Sequence, residues 1–424
     1  MRVLMVNKYY RVVGGVERYI SETTRLLEQK GHQVIPFAMA DPHNEPTPYA
    51  RYFVPSIEFF DGDRRPAPWE IAERVIYSRE ARQKMALLVE ETRPDIAHLH
   101  NIYHYISPSV IHTLRQYDVP IVMTLHDYKL ICPAYKLWVD GSICERCLGG
   151  RFYHCVRHRC IHGSLPASLL SAVEAYTHRL MHTYDGVDIF VSPSRFLREK
   201  HIAHGVEPGR IAHISNFLVL EHYKPRFDHS GYFAYAGRLT PFKGVGTLLE
   251  AVARLRPTFP LLIIGDGPSR RDLEIKARRL GLDKVRFLGH QSGTALHDLI
   301  AGAMFAVVPS EWYENGPYAV LEALALGTPV LGADIGGIPE LVEPGVEGFL
   351  FEPGQVTTLA AQLDRLLGAA PPFLQELGRG GRAKMEALYN EKTHYSALSA
   401  LYDRLLTPGG DYSGRKRVLL PKEY

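Results

Sequence analysis

The chain has 424 residues, more than one compact hydrophobic core usually holds, and this length predicts two domains. Hydrophobic residues make up 46% and charged residues 22% of it, as in an ordinary globular protein. The net charge of +3 is too small to predict nucleic-acid binding. No apolar run has the length of a membrane span, and the run in Met1–Asn7 is too short for a signal peptide. We therefore expect a cytoplasmic protein; contact with the inner face of a membrane, through a basic or aromatic patch, stays open.

Short apolar runs alternate with amphipathic stretches through residues 1–220, which we predict to be the first domain. Buried strands are predicted at Val3–Val6, Gln33–Ala38, Asp95–Leu99 and Val119–Leu125. Helices are predicted between them, for example at Val16–Lys30 and Ile71–Thr92. This alternation is typical of a doubly wound parallel sheet, which binds ligands at the carboxyl ends of its strands.

Two features of the first domain follow such strand ends. Gly14-Gly15 comes after the first strand and before a helix, and glycines there allow a ligand to approach the backbone. His126 terminates the strand that ends at Leu125, where it can hydrogen-bond a sugar hydroxyl or a phosphate oxygen. A flexible turn and a structural histidine are the alternative interpretations.

All five cysteines lie in one segment, residues 132–162, which we interpret as an insertion in the first domain. Cys144, Cys147, Cys155 and Cys160 are the predicted ligands of a structural zinc ion, with Cys132 as the rival ligand. The reason is that clustered cysteines in a cytoplasmic protein favour metal binding over disulfides. Disulfides, free thiols and an iron–sulfur cluster remain alternatives.

A second alternation begins after a polar connection near residue 220 and predicts a second domain over residues 221–390. Its strands are predicted at Tyr232–Ala236, Pro260–Ile264, Val285–Leu288, Phe305–Val308 and Pro329–Leu331. Its helices are predicted at Gly244–Leu255, Ser269–Leu280, Ala295–Ala301, Pro317–Leu326, Val356–Leu367 and Pro372–Tyr389. Residues 391–424 are expected to form a closing helix, Lys392–Leu406, and an irregular tail.

Three loops at strand ends of the second domain carry candidate ligands for a nucleotide. Arg238 and Lys243 follow the first strand, where their charges can neutralise a diphosphate. Gly265 and Gly267 end the next strand and would let the backbone approach a nucleotide. His290 follows the third strand, where backbone groups could meet a base edge. An ordinary turn is the alternative interpretation of the two glycines.

The segment from Glu314 to Gly327 predicts one helix with chemistry at its N-terminus. Pro317 suits the first helical position, so the free N–H groups and the positive dipole end beyond it form a seat for phosphate. Glu314 lies just before that seat. Glu322 lies about five residues into the helix, roughly 8 Å along its axis, close to the separation between a diphosphate and its own ribose. Two exposed glutamates on an ordinary helix are the alternative.

These motifs, in this order, resemble those of the family-4 retaining glycosyltransferases, which have two Rossmann-like domains facing across a cleft, the GT-B fold. The resemblance covers Met1 to about Leu406. It rests on Gly14-Gly15-Val16-Glu17, His126, Gly237-Arg238 with Lys243-Gly244, Gly265-Asp266-Gly267-Pro268, and Glu314 with Glu322.

The resemblance assigns roles to the matching residues. Glu322 would hold the ribose hydroxyls, Glu314 would face the donor sugar, and Arg238 and Lys243 would bind the diphosphate. His126 would contact the donor sugar near the reacting centre. The backbone amides expected to cradle sugar and phosphate are those of Asn315, Gly316, Tyr318, Ala319 and Val320.

The implied reaction moves a sugar from a nucleotide-diphosphate sugar to a hydroxyl of a glycan or lipid-linked acceptor, with anomeric retention. Such enzymes often build surface polysaccharide or other glycoconjugates. No second carboxylate is clearly placed as a nucleophile, so a front-face mechanism is favoured over double displacement. No carboxylate-bound catalytic metal is expected.

Three other functions compete with transfer. A GT-B epimerase acting on sugar nucleotides would need no acceptor. An inactive scaffold could use the cysteine-rich segment for binding, although the complete glutamate and cation sets disfavour it. A dehydrogenase is disfavoured because the dinucleotide fingerprint is missing.

Overall fold

The computed structural model describes residues 1–57, 67–256 and 259–407, which form two α/β domains. The strands of the first domain are β1 (Arg2–Val6), β2 (Gln33–Phe37), β3 (Ile96–Leu99), β4 (Ile121–Thr124), β5 (Trp138–Val139), β6 (Ser142–Ile143), β7 (Ile189–Ser192) and β8 (Ile211–His213). Six of them form a parallel sheet in the order β2-β1-β3-β4-β7-β8, and β5 and β6 form a small antiparallel hairpin. The strand order reverses between β1 and β3, so the crevice of this sheet opens where those two strands end.

The helices of the first domain pack on both faces of its sheet. They are α1 (Gly15–Gln29), α2 (Pro68–Tyr77), α3 (Arg79–Thr92), α4 (Tyr103–Ile106), α5 (Ser109–Gln116), α6 (Tyr153–Arg157), α7 (Leu165–Leu180) and α8 (Arg195–Ile202). The prediction of one continuous helix over Ile71–Thr92 is wrong. The helix breaks at Ser78, whose extended backbone ends α2 and whose hydroxyl accepts a hydrogen bond from the Ala81 N–H (3.2 Å) at the start of α3.

The second domain repeats the architecture with a different strand order. Its strands are β9 (Phe233–Ala236), β10 (Leu261–Ile264), β11 (Val285–Gly289), β12 (Ala306–Val308), β13 (Val330–Ala333) and β14 (Gly348–Phe351). They form one parallel sheet in the order β11-β10-β9-β12-β13-β14. This order reverses between β9 and β12, so the loops after those two strands face one crevice. The predicted fold class, two doubly wound domains of the GT-B type, is confirmed.

Of the remaining helices in the described residues, all but the last belong to the second domain. They are α9 (Val245–Val252), α10 (Arg270–Arg279), α11 (Gly293–Ala301), α12 (Tyr318–Ala325), α13 (Ile338–Leu341), α14 (Val356–Leu367), α15 (Pro371–Leu388) and α16 (Glu391–Leu406). No helix in the described ranges is long and apolar enough to cross a membrane. The predicted tail, with its basic run Arg415-Lys416-Arg417, lies outside the described residues.

Helix α16 returns to the first domain. Leu398, Leu401 and Tyr402 are buried in one apolar cluster with residues of β1 and α1, among them Val3 and Tyr19. The Tyr402 hydroxyl lies 2.6 Å from Nδ1 of the buried His98 on β3. The last described helix therefore completes the core of the domain in which the chain begins.

Close backbone packing in the second domain explains why glycine occupies two of its positions. The loop after β9 lies against the loop after β10, and the Leu239 N–H donates to the Asp266 carbonyl at 2.9 Å. A Cβ on Gly265 would lie 2.0 Å from the Gly237 carbonyl oxygen, and one on Gly267 would lie 2.3 Å from the Leu239 carbonyl oxygen. Both positions therefore exclude a side chain.

Gly265→Ala should destabilise the protein by about 3 kcal/mol or more, because it adds a backbone clash to the cost of a positive φ. Gly281→Ala is the matched control, since Gly281 also has a positive φ but no atom within 4 Å of its Cβ position, and it should cost only about 1 kcal/mol. Urea unfolding of both variants measures the difference. Equal losses of stability would contradict the packing role of Gly265.

Candidate active site

The loops after β9 and β12 meet at the crevice of the second sheet. Lys243 Nζ lies 2.5 Å from Glu314 Oε1, and the Ser310 hydroxyl donates to the same oxygen at 2.6 Å. Burial opposes ionisation of Glu314, but the charge of Lys243 and the hydrogen bonds from Lys243 and Ser310 outweigh it and lower the pKa of this carboxyl. Glu314 is therefore an ionised, firmly held acceptor for hydrogen bonds at neutral pH.

The backbone around Glu314 is held by both domains. From the second domain, the Gly337 N–H donates to the Glu314 carbonyl at 2.7 Å. From the first domain, the Asn216 side chain donates to the Gly316 carbonyl at 2.9 Å. The side chain of Asn315 donates in turn, through Nδ2, to the carbonyl of His126 at 2.8 Å, so the two predicted site segments meet across the cleft.

Helix α12 begins one residue later than predicted. Pro317 has φ −71° and ψ 119° and precedes the helix, which starts at Tyr318. The first N–H groups of a helix have no partner within it, so the amides next to Gly316 can face an anion. The Val320 N–H, predicted to join this cradle, already donates to the Pro317 carbonyl at 3.1 Å.

Glu322 is paired with an arginine of the first domain, Arg18 on α1. Arg18 Nη1 donates to Glu322 Oε1, and the Tyr223 hydroxyl donates to the same oxygen at 3.3 Å. The guanidinium also lies over the Tyr318 ring, 5.1 Å from its centroid, and contacts Glu22 at 2.9 Å. Both bonds end on Oε1, so Oε2 can still accept a hydrogen bond from a ligand.

Arg18 and Tyr223 were not among the predicted site residues. Arg18 directly follows the predicted Gly-Gly-Val-Glu motif, and its spacing from Glu22 places both on one face of α1. That spacing was the available signal for Arg18. Nothing in the local sequence around Tyr223 indicates its contact with Glu322. Gly15 lies beside the Tyr318 ring that Arg18 covers, since a Cβ there would lie 3.3 Å from that ring.

His126 is part of a chain of histidines beneath the cleft. Its Nε2 lies 3.0 Å from His100 Nδ1, and the ring of His100 lies 4.4 Å from that of His98, centroid to centroid. Burial lowers the pKa of His126 to about 3. Burial, together with repulsion from His126 and His394, lowers the pKa of His98 to about 3. His126 is therefore neutral at physiological pH and can serve as a hydrogen-bonding group there.

Arg238 is exposed and faces the first domain. Burial lowers the pKa of Lys136, which lies in the loop after β4, and the charge of Arg238 lowers it further. Phe242 and Trp138 make an edge-to-face contact across the same gap, with centroids 5.7 Å apart. The two predicted diphosphate-binding cations therefore differ, because Lys243 has a carboxylate partner and Arg238 is open to solvent.

The other predicted nucleotide contacts lie in a row along the second sheet. The loops that contain Gly265 and Gly267, and then His290, follow β10 and β11, the next two strands beyond β9. His290 is exposed and lies near the Asp266 carboxylate, whose pKa is lowered first by the Gly267 N–H and by Arg270. These loops are thus adjacent to Arg238, while Glu314 and Glu322 lie on the β12 side.

The structure does not support the predicted zinc site in the cysteine-rich segment. Cys132, Cys144, Cys147, Cys155 and Cys160 are all free thiols, and the described part of the chain contains no group of three or more Cys, His, Asp or Glu side chains that could hold a metal ion.

Cys132, Cys147 and Cys155 are instead buried in the core of the first domain together with Leu148 and Phe152. Burial and neighbouring thiols raise the pKa of Cys147 to about 12, so it stays a neutral thiol.

Comparison with known proteins agrees with this geometry. The model of Glycosyltransferase Family 4 matches residues 13–222, and the model of Glycosyl transferases group 1 matches residues 222–384. Glycogen synthase of Mycobacterium tuberculosis is 28% identical over 423 residues, which cover 95% of this chain and 94% of that protein. D-inositol 3-phosphate glycosyltransferase of Mycobacterium marinum is 33% identical over 192 residues, 43% of this chain and 40% of that one.

Solved structures show the same fold. Sucrose-phosphate synthase from Thermosynechococcus elongatus superposes with a TM-score of 0.71 at 21% identity, over 95% of this chain and 98% of that one. Anabaena HepE in complex with UDP-glucose superposes with a TM-score of 0.67 at 18% identity, over 95% of this chain and 99% of that one. Fold and site together define a glycosyltransferase with the GT-B fold. The chain belongs to glycosyltransferase family 4.

The buried histidines predict that the protein loses stability in weak acid. Unfolded imidazoles bind protons below about pH 6.5, whereas His98 and His126 resist protonation until about pH 3. The unfolded state therefore binds more protons, and each of these histidines should cost about 2 kcal/mol of stability at pH 5. Urea unfolding at pH 7.5 and pH 5.0 measures the loss.

His98→Asn should make this pH dependence shallower, because asparagine does not titrate. His43→Asn is the control, since His43 lies at an exposed position and its replacement should leave the dependence as it is. Stability that stays constant or rises between pH 7.5 and pH 5.0 would refute the expected effect.

Proposed function

We propose that this enzyme transfers a sugar, with retention, from a nucleoside-diphosphate sugar to a hydroxyl of a glycan or lipid-linked acceptor. The observation that carries the proposal is the pairing of Lys243 with Glu314 at the N-terminus of α12, in the crevice of the second sheet. A cation, a helix start and an ionised carboxylate within one loop pair suit a diphosphate next to a sugar.

The nucleotide would lie along the carboxyl ends of β9, β10 and β12. The ribose hydroxyls would donate to Oε2 of Glu322, since Arg18 and Tyr223 occupy Oε1. The diphosphate would lie between the α12 N-terminus and the cations Arg238 and Lys243. Glu314 would accept hydrogen bonds from hydroxyls of the donor sugar.

The ion pairs and hydrogen bonds of the two carboxylates fit a front-face mechanism. Lys243 and Ser310 hold Glu314, and Arg18 holds Glu322. Neither carboxylate is therefore offered as a free nucleophile. Lys243 and the helix start would stabilise the departing diphosphate, and its oxygen would take the proton from the acceptor hydroxyl.

The acceptor would enter at the crevice of the first sheet, between the ends of β1 and β3. Tyr9 and Tyr105 lie there with ring centroids 6.3 Å apart, and Lys8 Nζ lies 5.0 Å and 5.3 Å from them. Tyrosine rings are good surfaces for the apolar faces of sugars. Burial raises the pKa of the nearby Asp127 to about 6, so this carboxyl can hydrogen-bond hydroxyls in either protonation state. A glycan acceptor is further supported by the similarity to a glycogen synthase.

Donor binding can be tested by thermal shift with UDP-, GDP- and ADP-sugars. A matching donor should raise the melting temperature, and the shift should grow with the logarithm of the donor concentration once that exceeds Kd. Glu322→Gln should reduce the shift, because the amide weakens the acceptor for ribose. Glu376→Gln, at an exposed position of α15, is the control and should keep it. No shift with any of these donors would contradict the proposal.

Lys243→Ala should lower turnover about 100-fold or more, because the charge that it meets is greatest in the transition state. Release of nucleoside diphosphate from the donor measures turnover, by hydrolysis where no acceptor is known. Lys276→Ala removes the lysine of another close pair, with Glu250 at 2.5 Å on the surface, and should leave turnover unchanged.

Normal turnover in Lys243→Ala would contradict the assigned role. The same assay with a chelator tests the expectation that no divalent ion takes part. Complete loss of turnover that magnesium restores would refute that expectation.

A further inference from the structure

One face of α7 is apolar although it is turned to solvent. Leu165, Leu169, Val173 and Leu180 form a stripe along the helix, and their exposed fractions are 48%, 52%, 42% and 80%. The opposite face is buried around Glu174. A surface helix normally turns polar side chains outwards, so this reversed pattern indicates a surface that meets a partner.

The apolar area extends beyond the helix. Tyr153 on α6, which packs against α7, is 52% exposed, and Met181 directly after α7 is 45% exposed. We call Tyr153, Leu165, Leu169, Val173, Leu180 and Met181 the α7 face. Trp69, on the adjacent α2, is 68% exposed. Tyrosine and tryptophan are the aromatic residues favoured where protein meets a membrane surface.

The segment that forms this face is rich in basic side chains. Between residues 146 and 182 the sequence contains five arginines and one acidic residue, Glu174, a formal charge of +4 that exceeds the +3 of the whole chain. Glu174 is buried and paired with Lys129 at 2.7 Å, so it does not offset the surface charge. The five arginines are exposed and, within the described residues, lack a carboxylate partner: Arg146, Arg151, Arg157, Arg159 and Arg179.

We propose that the α7 face docks the first domain onto an anionic lipid surface. The apolar stripe would enter the boundary between headgroups and acyl chains, and the arginines would contact the phosphates. Because the other face of α7 is buried in the domain, the helix lies in the plane of the surface and does not cross it. The charge disfavours a second copy of this chain as the occupant, since a symmetric interface would bring two sets of five arginines together.

Ion pairs link the α7 face to the acceptor side of the cleft. The buried Glu174 on α7 joins Lys129, two residues beyond Asp127, to His104 on α4, at 2.7 Å and 3.2 Å. The face is therefore rigidly connected to the loop that follows His126. The proposal does not depend on the sugar-transfer reaction, because it concerns only the outer surface of α7.

Vesicle sedimentation tests the proposal with the full chain. The protein should bind vesicles of phosphatidylcholine with phosphatidylglycerol more tightly than vesicles of phosphatidylcholine alone, and salt should weaken the binding. Leu165→Gln with Leu169→Gln should lower the partition coefficient about tenfold or more. Arg157→Gln with Arg159→Gln should lower it about tenfold on the anionic vesicles only.

Matched controls exclude general effects of polarity and charge. Leu388→Gln changes a leucine of α15 that is 55% exposed, and Arg271→Gln with Arg278→Gln removes two exposed arginines of α10. These variants should bind vesicles like the unaltered protein. Thermal unfolding should show that all variants remain folded.

Three results would overturn the proposal. The first is failure of the unaltered protein to bind anionic vesicles, and the second is binding that the α7 variants leave unchanged. The third is dimerisation in the absence of lipid that Leu165→Gln with Leu169→Gln abolishes, which would assign the face to a second copy.

Discussion

The backbone of residues 313–316 is the segment on which the site depends, because both domains hold it. The second domain binds this backbone through Gly337, and the first domain binds it through Asn216. The carbonyl of His126 also accepts a hydrogen bond from the Asn315 side chain. A Cβ on Gly336 would lie 2.4 Å from the Glu314 carbonyl oxygen, so the two loops touch backbone to backbone. The position of Glu314 and the start of α12 therefore depend on the interface between the domains as much as on the loop's own sequence.

Each of the two glutamates in the cleft is paired with a cation. Lys243 neutralises Glu314, and Arg18 neutralises Glu322, so neither buried carboxylate lacks a counterion. A buried charge without a partner would be costly, and these pairs remove that cost while no donor is bound. A donor must then compete for Lys243, whereas it can share Glu322 with Arg18. The two glutamates look alike in the sequence, yet a ligand must displace a cation from Glu314 and need not displace one from Glu322.

The fold and the outline of the site follow from local patterns. Runs such as Val3–Val6 and Leu261–Ile264 are apolar and bounded by loops, so their strands are predictable, and the loops after them lie where doubly wound sheets bind ligands. The break at Ser78 is harder to predict, because the apolar periodicity continues through it. The pairing of Arg18 with Glu322 joins residues 304 positions apart, and only the packing of the domains brings them together. The structure does not support the zinc prediction, and spacing in the sequence cannot show that thiols such as Cys132 and Cys155 are buried in a core.

The return of α16 to the first domain has a consequence for synthesis on the ribosome. The first sheet ends at His213, yet its apolar cluster includes Leu398, Leu401 and Tyr402. During synthesis, part of the core of the first domain therefore stays exposed until the whole second domain has left the ribosome. Domains generally fold as units in order of synthesis, and exposed apolar surface favours aggregation. The core of the first domain is therefore complete only after α16 has been synthesised.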